Sequence, residues 1–190
     1  MSARRVLARV VLVFACALPT MVGAQAVPDR QAVRGELRFE GHGSLGSFVG
    51  RTTQLRGMLI GAPTLEGVRG WVEGDAKTLV TGNGRRDRDM WKSLEVARFP
   101  AVRFDLDAVA PGASDHDSVG VTLRGRFTIH GVTRESAVRG WAHVESTRVR
   151  FHGVAPLRLT DYGIGGLSKA FGLLKMDPDV VVRMELTFGG

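Results

Sequence analysis

Cysteine is all but missing from this chain of 190 residues: the single one, Cys16, lies near the N-terminus. An intrachain disulfide is therefore excluded, and the fold must be held by its core. No clean apolar run of the ~20 residues that a spanning helix needs is present either. The longest candidate, Val10 to Ala26, is interrupted by Pro19, Thr20 and Gln25. Arg4, Arg5 and Arg9 precede it, Val10 to Leu18 forms an apolar centre, and Ala24-Gln25-Ala26 supplies small residues for cleavage. This reads as a signal peptide over residues 1–26, followed by one exported, periplasmic domain over residues 27–190. A retained membrane anchor, with lipidation at Cys16, is the alternative. On cleavage no cysteine remains, and redox and Cys-ligated metal chemistry are excluded with it.

Catalytic signatures are missing as well. No His pair has zinc-ligand spacing. Gly163-Ile164-Gly165-Gly166 has no Lys-Ser/Thr after it and so is not a phosphate loop. No Ser or Cys occupies a nucleophile elbow. Asp115-His116-Asp117 sits in a polar loop, where neighbouring side chains of an extended segment point apart. Asp87 and Asp89 fit helix capping better than paired acid–base work. His130, before Gly131, suits a turn or a barrel rim. These absences point to a binding protein with no cofactor rather than to an enzyme. Basic clusters interleaved with aromatics are missing too, which excludes nucleic acid. Loss of Arg4, Arg5 and Arg9, with no acid beside them, lowers the formal charge from +7 to +4. The remaining arginines are scattered and read as a solvated face, with contact to anionic lipid headgroups as the functional alternative.

What the chain has is alternation. Leu37 and Phe39 oppose charges. Val102, Phe104 and Leu106 oppose Arg103, Asp105 and Asp107. Val119, Val121, Leu123, Phe127 and Ile129 form a third row, Val149 and Phe151 a fourth. Val180, Val182, Met184, Leu186 and Phe188 form the last. Each is a strand with one buried and one wet face. The 25 glycines are in excess, and many mark the turns between strands. About eight strands at hairpin spacing predict an all-β, antiparallel barrel. One segment, residues 88–97, instead has helical spacing, with Asp87 or Asp89 as cap and Pro100 as stop. This short helix would cover one end of the barrel. Trp71 and Trp141 lie in strands and are expected in the core or an interface. The apolar stretch Leu167 to Met176 reads as a loop or short helix packed over the core, or as a mobile lip at a pocket mouth.

A barrel of eight strands is either filled by its side chains or just wide enough for one small ligand. The inward rows mix large residues with small ones, Ala108 and Gly125 among them, and are wholly apolar. Such a hollow suits a hydrocarbon chain. On this reading Phe104, Leu123, Phe127, Ile129, Val182, Met184 and Leu186 line the cavity, and Trp91, Phe171 and Leu174 guard its mouth.

Several motifs carry a family resemblance. Gly82-Asn83-Gly84-Arg85-Arg86-Asp87-Arg88-Asp89-Met90-Trp91, then Ala97-Arg98-Phe99-Pro100-Ala101-Val102-Arg103-Phe104, resembles the turn, short helix and strand start of the YceI-like family. Gly125-Arg126-Phe127-Thr128-Ile129-His130-Gly131-Val132-Thr133 is similar to its most specific hairpin, and Asp161-Tyr162-Gly163-Ile164 to a later element. The resemblance covers roughly residues 36 to 188. It departs at the first hairpin, where Glu40-Gly41-His42-Gly43-Ser44 only loosely follows the pattern. It implies a lipocalin-like barrel that sequesters or carries a polyisoprenoid, an isoprenoid quinone or a similar long apolar chain. The alternative is a stress-related envelope protein with a filled barrel that acts through its outer face. A homodimer is left open.

Overall fold

A computed structural model describes residues 26–27, 31–165, 168–169 and 174–189. The strands are β1 (Gln31–Gly41), β2 (Phe48–Thr52), β3 (Leu55–Ile60), β4 (Arg69–Asp75), β5 (Ala101–Asp115), β6 (Ser118–Ile129), β7 (Val132–Val144), β8 (Arg148–Arg158), the short β9 (Ser168–Lys169) and β10 (Leu174–Lys175), and β11 (Asp179–Gly189). The one α-helix, α1 (Gly84–Ser93), stands between β4 and β5.

The main sheet closes on itself. Antiparallel pairing runs from β3 through β4, β5, β6, β7 and β8 to β11, and β11 pairs with β1 from Val33↔Phe188 to Glu40↔Val181. β1 in turn pairs with β2 over its C-terminal half and with β3 at Gln31 and Ala32. β2 and β3 are thus one interrupted stave, and the ring is an eight-stranded antiparallel, lipocalin-like barrel. Closure pairs most of the stave edges. The small second sheet holds only β9 and β10.

The alternating rows face as the sequence predicts, with two differences. A bulge at Asp107 breaks the β5–β6 register, so Val109 pairs with Leu123 and points inward. Ala108 pairs with exposed Arg124 and leaves the inward set to which the unbroken alternation assigned it. One extra residue turns the rest of the strand over. Trp71 and Trp141, expected in a core or an interface, both sit on the outer wall. Trp71 lies between inward Gly70 and Val72, with the Arg103 guanidinium 4.3 Å from its ring centre. Trp141 precedes buried Ala142 and packs its ring over Gly120.

The helix also starts earlier than its apolar spacing suggests. Asn83, not Asp87 or Asp89, is the cap, and its side-chain oxygen accepts from the N–H groups of Arg85 and Arg86 at 3.1 Å each. Asp87 is buried and accepts from the N–H and hydroxyl of Thr81, at 2.8 and 2.6 Å. It ties the incoming loop to the helix. Residues 94–99 leave the helix in turns, with Glu95 at φ 47°.

The two ends of the barrel are closed differently. At the base, Val27 and Val68 are buried, and the Val27 N–H donates to the Ala62 carbonyl. At the other end, where β1, β6 and β8 finish, lie the 42–47 loop, α1 and the 3-10 turn Leu159–Tyr162. There β7 and β8 part: their pairing stops at Arg139↔Val154, short of Pro156, which has no N–H to give. Tyr162 and Ile164 are buried at this end, and Gly163 between them takes φ 68°, a conformation that favours glycine. Among the described residues no helix is long and apolar enough to cross a membrane.

Candidate functional site

Side-chain size falls toward the open end along four of the staves. In β6 Phe127 lies toward the base and Ile129 toward the open end. In β5 the order is Phe104 then Val102, in β8 Phe151 then Leu157, and in β11 Met184 then Val182. The base half is packed solid. Phe104 and Phe127 meet at 4.7 Å between ring centres, and Phe127 is only 2% exposed. Gly125 stands opposite them because any Cβ there would lie 2.0 Å from the Asp105 carbonyl oxygen and 2.9 Å from the Phe104 ring. A void of about 60 Å³ lies in this half.

The other half is hollow. A cavity of about 310 Å³ lies inside the open end, at the lower limit of ordinary small-molecule sites, roughly 300–1,000 Å³. Leu37, Phe39, Val102, Ile129, Leu157 and Val182 form its walls. Leu79, Met90 and Leu94 cover it from the helix side, and Leu159, Ile164 and Met176 from the opposite side. Thr52 is the buried polar residue of the lining, and its hydroxyl is already used by Thr78 at 2.6 Å and by the Gln54 N–H at 3.0 Å. Of the other polar lining residues, Arg38 belongs to β1, and Ser44, Arg86, Asp89 and Ser93 belong to the 42–47 loop and α1 at the mouth. Arg86 is held there by two contacts. Its Nε donates to the Thr81 hydroxyl at 2.9 Å, and its guanidinium lies 4.5 Å from the Phe48 ring centre. Phe48 in turn meets the wall residue Phe39 edge-on.

His130 braces the rim. Its Nδ1 lies 3.1 Å from the Tyr162 carbonyl oxygen, its Nε2 lies 3.1 Å from Glu95 Oε1, and Phe99 packs edge-on against the ring. One imidazole thus joins the β6–β7 hairpin, the turn after α1 and the 3-10 turn. The Glu95 carboxyl is held below its ordinary range, first by the hydrogen bond from Arg98 and then by that from His130. Burial pushes the Tyr162 phenol up.

The residues expected to line the cavity separate into groups. Ile129 and Val182 border the large cavity. Phe104, Leu123, Met184 and Leu186 border the small void, and Phe127 borders neither. Trp91, expected as a guard, is half-buried and donates its Nε1–H to the Leu79 carbonyl at 3.0 Å. It fastens the helix to the loop that roofs the cavity, and its neighbours Met90 and Ser93 reach the lining instead. Phe171 lies outside the described residues. Leu174 is placed only by its backbone, in β10. Residues 1–26, expected to be a signal peptide, lie outside the described residues too, apart from Ala26 and its neighbour Val27 beyond them. Sequence reasoning missed Leu37, Phe39, Val102 and Leu157 as lining. Asp115 and His116 sit on an exposed hairpin at the base, far from the cavity. Among the described residues no group of three His, Cys, Asp or Glu could hold a metal ion.

The YceI-like domain model matches residues 29–188. Among solved structures, BcnA of Burkholderia cenocepacia is similar at TM-score 0.69 and 13% identity, over 80% of this chain and 95% of that one. A polyisoprenoid binding domain from Saccharophagus degradans is similar at TM-score 0.68 and 16% identity, over 85% and 98%. The Campylobacter jejuni YceI protein is similar at TM-score 0.51 and 14% identity, over 64% and 72%. At these identities the likeness is one of fold. No curated protein matches the chain in sequence.

Proposed function

The chain belongs to the YceI-like family, and from that premise and the hollow half of its barrel we propose that it is a lipid-binding protein for a long apolar chain, a polyisoprenoid, an isoprenoid quinone or a similar amphiphile. It sequesters or carries that chain in the periplasm after export and removal of residues 1–26. The observation that carries this reading is the 310 Å³ cavity, with apolar walls and polar groups at the mouth. The polyisoprenoid-binding character of the Saccharophagus neighbour supports the same ligand class. The driving force is transfer from water, about 0.8 kcal/mol per buried methylene. Association itself costs roughly 4–15 kcal/mol. Short chains therefore bind weakly, and affinity climbs with chain length until the hollow is full. The polar head stays at the mouth near Arg86 and Ser93.

Native mass spectrometry after gentle purification, followed by delipidation and reloading with isoprenoid alcohols and quinones of graded length, tests this reading. The expected result is one bound chain per protein and weaker uptake by Val182→Trp, whose indole would occupy the hollow. A wild-type protein that is recovered empty and takes up no member of the series would overturn it and leave a barrel that acts through its outer face.

A further inference from the structure

Of the five large apolar side chains exposed among the described residues, Met58 and Ile60 lie on β3 and three lie toward the open end. Leu45, in the loop between β1 and β2, is 86% exposed while also lining the mouth. Val49 follows in β2 at 48%. Val80, at 42%, exchanges both backbone hydrogen bonds with Arg51 of the same strand. A monomer in water gains nothing by displaying them together at one opening.

Helix α1 borders this rim and contributes Met90 and Ser93 to the cavity. Its exposed side chains are Arg85, Arg88 and Lys92. Spacings of three and four residues set them in one line along the helix. Asp87 is turned inward and used by Thr81, so it does not neutralise that line, and the helix's other carboxylate, half-buried Asp89, reaches the cavity lining. Among the described residues no carboxylate pairs with Arg85, Arg88 or Lys92. On the barrel wall most arginines are paired, Arg56 with Glu73, Arg103 with Asp105, Arg126 with Asp107 and Arg183 with Glu40, while Arg124 and Arg139 stand singly and apart without a carboxylate partner among the described residues. Cations left unneutralised beside exposed aliphatic residues complement a surface that is anionic outside and greasy just beneath.

We infer that the open end of the barrel docks on an anionic lipid bilayer. Leu45, Val49 and Val80 enter the boundary between headgroups and acyl chains, and Arg85, Arg88 and Lys92 meet the lipid phosphates. This pose points the mouth at the hydrocarbon, so a chain can pass into the cavity without crossing water. Its purpose rests on the lipid-binding reading, but its test does not.

Vesicle partition is measured without any added hydrocarbon ligand, with the full chain and its triple variant R85E/R88E/K92E, on phosphatidylglycerol-containing and on pure phosphatidylcholine vesicles. The N-terminal segment is common to both proteins, so their difference reports the helix face. Each cation near such a surface is worth about 1 kcal/mol, or about fivefold, so the triple variant should lose on the order of 100-fold in partition on the anionic vesicles. Orientation is read from an environment-sensitive fluorophore at Leu45→Cys or, at the opposite end, His116→Cys, each in a Cys16→Ser background. The expected result is a blue shift at position 45 and none at 116. Equal partition of wild type and variant, no preference for the anionic vesicles, or a shift at 116 alone would overturn docking, including in favour of a protein partner. Chain uptake by the triple variant, assayed separately, should match wild type because none of the three side chains lines the cavity. Docking without uptake would sink only the lipid-binding reading.

Discussion

The two halves of the barrel are built from the same staves and the same alternation, yet one is solid and the other hollow. Toward the base the inward positions hold Phe104, Phe127, Phe151, Met184 and Phe188, and rings touch rings. Toward the mouth the same strands offer Val102, Ile129, Leu157, Val182 and Val180, and about 310 Å³ stays unfilled. The difference is one of side-chain volume, since both sets are apolar and both face inward. Stability and binding are thereby separated along the barrel axis. The base supplies close packing, while the mouth gives up dispersion contacts and gains room.

Truncation should show the largest contrast. Phe127→Ala removes a ring from the packed half and leaves a cavity there, which costs about 3–5 kcal/mol. At roughly 2–4 °C per kcal/mol for a domain of this size, the melting temperature falls by on the order of 10 °C. Ile129→Ala, two residues along the same strand, removes a side chain that already borders empty space, so its cost should sit at the low end, near 2 kcal/mol. Calorimetry on the two variants decides between a divided barrel and a uniform core: equal losses would erase the distinction. A smaller contrast comes from enlargement. Val138 is fully buried and borders neither void, so Val138→Phe should cost about 1–3 kcal/mol by overpacking. Val182→Trp should stay within about 1 kcal/mol of wild type while it blocks chain uptake, because its bulk enters space that is already open. Denaturant midpoints for the pair would show it.

Period-2 alternation made the closed sheet legible in the sequence, because an apolar face with few helices to cover it must curl on itself. The placement of α1 between strands was legible too. Three features were not. The bulge at Asp107 inverts Ala108 and Val109, and nothing in the local pattern of small and apolar residues announces it. Trp71 is greasy enough to suggest a core, but its parity, set by Gly70 and Val72, puts it outside beneath Arg103. The partition of the cavity required knowing which end of each strand meets which end of its neighbour. Antiparallel order reverses the size gradient from one strand to the next: Val102 precedes Phe104, while Ile129 follows Phe127. Read strand by strand, the residues look like one mixed set. Read along the barrel axis, they sort into a floor and a chamber.

The smallest expected effect concerns how the chamber is kept shut. Glu95 lies at the end of the helix that covers it, and its contact with His130 links that helix to the hairpin and to the Leu159–Tyr162 turn. Its carboxyl is depressed below the ordinary 4.5, chiefly by Arg98 and then by His130. A depressed carboxylate contributes its tie fully above the unfolded value and loses it as pH falls through the folded value. The tie is therefore intact at neutral pH and weakens below about pH 4.5. Because the group faces solvent, the consequence is local loosening rather than unfolding, and the base half should not respond. Release of a preloaded fluorescent hydrocarbon should speed up by a few-fold as pH falls below about 4.5, while the melting temperature changes little. Glu95→Gln keeps the shape of the side chain but removes its charge, so it should release faster already at neutral pH and show a flatter acid response. A variant with wild-type release at neutral pH and an undiminished acid response would place the gate elsewhere on the rim, with His130 acting through its hold on the Tyr162 carbonyl alone.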